Sequence, residues 1–144
     1  MMITIKKTMK QLGLGFFLLL HVSQGSIAES AQKSFTIYLF WAEGCPHCAR
    51  EINFIRQWLA TEPRVILRTY EVTEDPESRE LYSLVVQYFD IRQPAVPFIV
   101  IGFRYIQGFV DEATTGKQIK AAAAECLKAS CGDLVQWLQT VNAW

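Results

Sequence analysis

The stretch WAEGCPHC, Trp41 to Cys48, constrains this chain more than any other, because it joins two segments of different hydrophobic period. Before it, FTIYLFW from Phe35 to Trp41 is an unbroken run of apolar, aromatic and β-branched residues, the pattern of a strand buried on both faces. After it, HCAREINFIRQWLA from His47 to Ala60 sets Ile52, Ile55, Trp58 and Leu59 three and four apart, the period of an amphipathic helix. Pro46 suits the first helical position, where a missing N–H is no loss. Cys45 is therefore expected at the strand-to-helix turn. Cys48 follows one turn later on the same side, within reach of a disulfide to Cys45.

That placement carries chemistry, because a thiol attacks and leaves as its thiolate. Unpaired N–H groups and the dipole at a helix start favour a negative sulfur at Cys45, and His47 in the first turn adds a positive charge or a hydrogen bond. A thiol pKa of about 7 would stabilise the reduced form by only about 0.4 kcal/mol at pH 7, whereas a pKa of about 4 gives about 4 kcal/mol, or about 90 mV toward a stronger oxidant. Cys45 is thus the candidate nucleophile and Cys48 the more buried, resolving thiol. Two other readings of the pair stand beside this one. It would serve as a plain staple in an exported domain, or Cys45, His47 and Cys48 with the later cysteines would hold zinc or copper(I). Haem attachment is excluded, since Ala49 and not histidine follows Cys48.

The N-terminus indicates the compartment. Lys6, Lys7 and Lys10 precede the apolar run Leu12 to Val22, and Ser26-Ile27-Ala28 follows it, the layout of a cleavable secretory signal with cleavage after Ala28. The run is too short to cross a bilayer, which takes about 20 residues. Residues 1–28 are read as signal peptide and 29–144 as a single domain in a bacterial periplasm, where cysteine pairs persist as disulfides. Of the fourteen basic residues three leave with the signal while all fourteen acidic ones stay, so the net charge falls from zero to about −3. Such a balance argues against a nucleic-acid partner.

The remainder supplies a layered body. RVILRTYEV, Arg64 to Val72, reads as a second strand. Asp75-Pro76 caps a helix bearing Leu81, Leu84, Val85, Tyr88 and Phe89, and PFIVIG then FRYIQGF form two strands turning near Gly102. A third helix lies within Asp111 to Lys128, best from Thr115, and a short tail helix spans Asp133 to Val141. The order β-α-β-α-β-β-α implies an α/β fold with a central mixed sheet flanked by helices. Pro97, opening an interior strand, needs a special arrangement such as a cis Val96–Pro97 bond.

A strand ending in FWAEGCPHC, a helix launched by Cys-x-x-Cys, and Val96-Pro97 opening the next-to-last strand together resemble the thioredoxin superfamily, over about Phe35 to Lys128. The resemblance implies a three-layer thioredoxin-like fold with Pro97 as a cis-proline beside the active-site cysteines, and Val96, Pro97 and Trp41 as the wall a substrate meets. Pro46-His47 is similar to the motif of the DsbA family of bacterial disulfide oxidases, and the stretch Val96 to Phe109 to glutaredoxins and small thioredoxins. Leu39 stands where thioredoxins carry a buried acid. The expected activity is disulfide exchange with client protein thiols in the oxidising direction, with Cys45, Pro46, His47 and Cys48 as the centre. No cofactor beyond the Cys45–Cys48 disulfide and no bound metal are expected, and a membrane or soluble redox partner would recycle it. A reductase or isomerase kept reduced by a membrane electron donor is the alternative direction, and a copper- or zinc-binding module the alternative class.

The second pair, Cys126 and Cys131, is five apart. Within a continuous helix their Cα atoms would be about 8.6 Å apart, beyond disulfide reach. Bridging requires the helix to end near Lys128, with Gly132 permitting the turn and Asp133 capping the tail helix. The expectation is a structural staple rather than an electron relay to Cys45–Cys48. Glu43 and Arg104 are expected to be solvated.

Overall fold

The computed structural model describes residues 33–142. The expected signal, residues 1–28, lies outside them. Four strands and four α-helices follow in the order β1 (Phe35–Trp41), α1 (Pro46–Leu59), β2 (Val65–Glu71), α2 (Pro76–Tyr88), β3 (Phe98–Ile101), β4 (Arg104–Gln107), α3 (Lys117–Ala129) and α4 (Leu134–Val141). A single π-helical turn, Glu112–Gly116, leads into α3. It accounts for the weak helical signal before Thr115.

The sheet order is β2-β1-β3-β4. β1 runs parallel to β2 and antiparallel to β3, which is antiparallel to β4. Alternation along the central strands divides the core in two. Ile37, Leu39, Ile99 and Ile101 face Phe54 and Ile55 of α1 and Ile119 and Ala123 of α3. Tyr38, Phe40, Phe98 and Val100 face Leu81 and Val85 of α2 and Leu134, Val135 and Leu138 of α4. This explains why β1 shows no polar alternation: helices cover both its faces. The result is a three-layer thioredoxin-like fold.

Capping sets the helix starts. Asp75 accepts from the Glu77 N–H and Asp133 from the Gln136 N–H, each opening its helix as the residue pattern implies. The buried stripe of α1 is Cys48, Glu51, Phe54 and Ile55, whereas Ile52, Trp58 and Leu59 are only partly buried. The stripe is rotated from the one expected by periodicity, and it takes in a carboxylate.

Candidate active site

β1 ends at Trp41, and a short turn carries the chain to Cys45, the N-cap of α1. Gly44 in this turn has φ 72°, a conformation glycine adopts at no steric cost. Cys45 and Cys48 form a disulfide with Cα atoms 5.3 Å apart. The Cys48 N–H donates to Cys45 Sγ at 3.1 Å, so the sulfur occupies the place a serine or aspartate oxygen takes in an ordinary cap. Cys45 is half-buried and Cys48 is 1% exposed, which leaves Cys45 the sulfur a second molecule can reach. Beside it opens a cleft of about 540 Å³ whose lining includes Trp41, Cys45, Pro46, Asn53, Arg56 and Thr69.

The register of β1 on β3 pairs Phe40 with Phe98, so the end of β1 that leads to Cys45 and the start of β3 at Pro97 share one end of the sheet. Val96–Pro97 is cis. The Gly108 N–H donates to the Pro97 carbonyl at 2.7 Å, and the next carbonyl, Phe109, lies 2.9 Å from His47 Nδ1. These two bonds tie the proline loop, the end of β4 and the first turn of α1 together. Val96 itself is half-buried against the α2–α4 side of the core.

His47 is placed differently from the expectation that it faces Cys45. Its Nδ1 meets the Phe109 carbonyl on one side and Arg50 Nη2, also at 2.9 Å, on the other. A carbonyl can only accept and a guanidinium can only donate, so Nδ1 bonds Phe109 when it carries the hydrogen and Arg50 when it carries the lone pair. In either case Nδ1 is engaged by partners other than Cys45.

Two carboxylates matter here that sequence reasoning passes over. Glu51 is 1% exposed, and neither of its oxygens has a hydrogen-bond partner among the described residues. Burial pushes its carboxyl up to about 8. It lies three residues beyond Cys48 on the same buried stripe, one helical turn away. An acid inside an amphipathic helix is assigned by default to the wet side, and the only clue in the sequence is its spacing from Cys48. Leu39, by contrast, is fully buried among the apolar residues beneath α1.

Glu71, at the end of β2, does a different task. It accepts from the backbone N–H groups of Glu43, Thr73, Glu74 and Asp75 and from the Thr73 hydroxyl, so it fixes the turn two residues ahead of Cys45. Desolvation pushes its carboxyl up, but the hydrogen bonds from Thr73, Glu74 and Glu43 outweigh that and hold it at about 2. Glu43 is itself exposed, as expected, and contributes its backbone N–H.

Cys126 and Cys131 also form a disulfide, with Cα atoms 4.7 Å apart. α3 ends at Ala129, as bridging requires, but the left-handed residue at the break is Ser130, φ 57°, and not Gly132. Gly132 is instead held against the Phe103 ring, where any Cβ would sit 2.3 Å from a ring carbon. The bridge packs on Gly102 at the far end of β3 from Pro97. Five residues of extended chain put it about 16 Å from the Cys45 end of the sheet, so the two disulfides do not meet. Arg104, expected to be solvated, is exposed and pairs with Glu125.

No protein-family model matches the chain, and no curated protein matches it. Among solved structures it is similar to an X-ray crystal structure of the Agrobacterium tumefaciens protein AGR_C_4864, with 16% identity and a TM-score of 0.52 over 69% of this chain. The match covers 46% of that protein, so this chain spans less than half of its length, and the likeness concerns the fold alone. The holo form of glutaredoxin C1 from Populus tremula x tremuloides overlaps 70% of this chain and 86% of its own, at 20% identity and a TM-score of 0.42.

Proposed function

We propose that the chain is an exported thiol–disulfide oxidoreductase that passes the Cys45–Cys48 disulfide to pairs of client protein thiols. The observation that carries this reading is a disulfide at the N-terminus of α1 with one sulfur reachable and the other buried. A client thiolate attacks Cys45 Sγ, the S–S bond breaks and Cys48 leaves as a thiolate. The client's second thiolate then attacks its partner sulfur in the mixed disulfide and expels Cys45. Two electrons move from client to protein; the client's two thiol protons go to solvent, from which Glu51 is reprotonated after giving its proton to Cys48, and Cys45 remains a thiolate. The Cys45 thiolate leaves toward the Cys48 N–H and the positive end of α1, which lowers the cost of its charge. Cys48 leaves into an apolar layer where an anion is costly. Glu51, protonated at neutral pH because burial raises it to about 8, is the group one turn away that supplies the proton.

Trp41, Val96 and Pro97 are the wall along which the client lies, and Pro46 shapes the mouth. Cys126–Cys131 takes no part and is structural. The secretory pattern of residues 1–28, with two disulfides in the domain, supports a periplasmic setting in which a membrane or soluble redox partner reoxidises the centre. The direction is tested by equilibrating the Cys45–Cys48 pair with glutathione redox buffers. A potential nearer the strongly oxidising value of about −120 mV supports the oxidase; one as low as about −270 mV makes it a reductase.

A further inference from the structure

α1 carries three charged residues, Arg50, Glu51 and Arg56, and the one acid among them is buried. The exposed charges on the helix that bears the reactive disulfide are therefore all positive, on a domain with a net charge of about −3. Among the described residues the ion pairs are Arg64–Glu62 and Arg104–Glu125, which leaves Arg56 without a carboxylate. Arg56 is exposed at one end of the cleft that begins at Cys45, and Glu43 lines the other end. Asn53 and Thr69 add neutral polar groups between them, and Trp41, Pro46 and Ile52 an apolar floor. The cleft thus has a sign: negative beside the reactive sulfur, positive nearly three turns along the helix. Ten residues of α1 separate Pro46 from Arg56, a rise of about 15 Å. An extended peptide covers that in about four to five residues.

Resting on the disulfide-exchange reading above, we propose that this cleft selects client segments bearing a carboxylate about four residues from the reacting cysteine, with Arg56 receiving it. The client class is then an acidic peptide segment, recognised by a planar guanidinium that suits carboxylates. The preference acts chiefly on the encounter rate and is sensitive to salt.

The test uses the full mature domain, oxidised, and two reduced dithiol peptides identical except for Glu or Lys four residues to either side of the cysteines. Each turnover converts the peptide's two thiols to a disulfide and reduces the Cys45–Cys48 disulfide. The readout is the ratio of second-order rate constants, Glu peptide over Lys peptide, so a general loss of reactivity cancels. A ratio of about five or more is expected at low ionic strength, falling toward one in about 0.5 M salt. Arg56→Glu should bring the ratio below one, while Arg50→Glu, on the other side of α1, should leave it above one. A wild-type ratio near one, or a ratio that Arg56→Glu does not move, overturns the proposal. If both peptides react equally fast, only the acidic preference falls; if neither they nor dithiothreitol reduce the pair, the exchange reading falls with it.

Discussion

The two disulfides are the same bond between residues a few positions apart, yet they sit at opposite ends of helices. Cys45 caps the start of α1, where backbone N–H groups point at its sulfur. Cys126 lies in the last turn of α3, where the unpaired groups are carbonyls and a negative sulfur is disfavoured. Cys45 opens on a cleft; the Cys126–Cys131 bridge is pressed on the Gly102 turn and holds Asp133, which caps α4 and accepts from the Tyr38 hydroxyl of β1 at 2.5 Å. Helix polarity and access differ between the two bridges far more than cysteine spacing does.

The contrast breaks most directly by removing sulfurs. Cys45→Ser leaves no disulfide to pass on and should lower the rate of dithiol oxidation by at least about a thousandfold. Cys126→Ser combined with Cys131→Ser should leave that rate within about twofold; a comparable loss would make the second pair part of the reaction. Stopped-flow measurement with a small dithiol reads both.

The helix ends differ also in the groups buried behind them, and pH sharpens that difference. Glu51 ionises near 4.5 when unfolded and near 8 when folded, so the native state holds an extra proton between those values. Its contribution is complete below about pH 4.5 and is lost as pH rises through about 8, a fall on the order of 4 kcal/mol. Denaturant unfolding of the oxidised protein at pH 5 and pH 9 should show that fall, and Glu51→Gln should flatten it. A wild-type slope no steeper than the variant's would return Glu51 to the solvated side.

The smallest effect belongs to the staple. Opening the short loop with Cys126→Ser and Cys131→Ser should cost about 2 kcal/mol of stability by chain entropy. Amides of Leu134 to Val141 should then exchange before those of the sheet, since the bridge sets the approach of α4. Unchanged protection of α4 would mean that Leu134, Val135 and Leu138 dock it unaided.

Most of the frame was legible because local signals agreed. The unbroken apolar run of β1, Asp75-Pro76 ahead of α2, and the Cys-x-x-Cys between strand and helix each point to one arrangement, and the elements formed within one or two residues of the expected limits. The π-turn at Glu112–Gly116 blurred the start of α3, and the break after Ala129 fell on Ser130 because Gly132 was needed against Phe103. Such choices depend on which neighbours crowd a residue, and composition is silent about them.

By itself the sequence determined the order of elements, the position of Cys45 at a helix start and the pairing partners of both disulfides, since each follows from contacts within a few residues. Only tertiary structure decided that Glu51 faces inward with no hydrogen-bond partner among the described residues, that the ring of His47 meets Phe109 as well as Arg50, that Glu71 holds the turn before Cys45, and that Arg56 and Glu43 line one cleft. Those are contacts between distant segments. Their geometry is set by the rotation of α1 on the sheet, and helical periodicity specifies that rotation only to within the width of an apolar stripe.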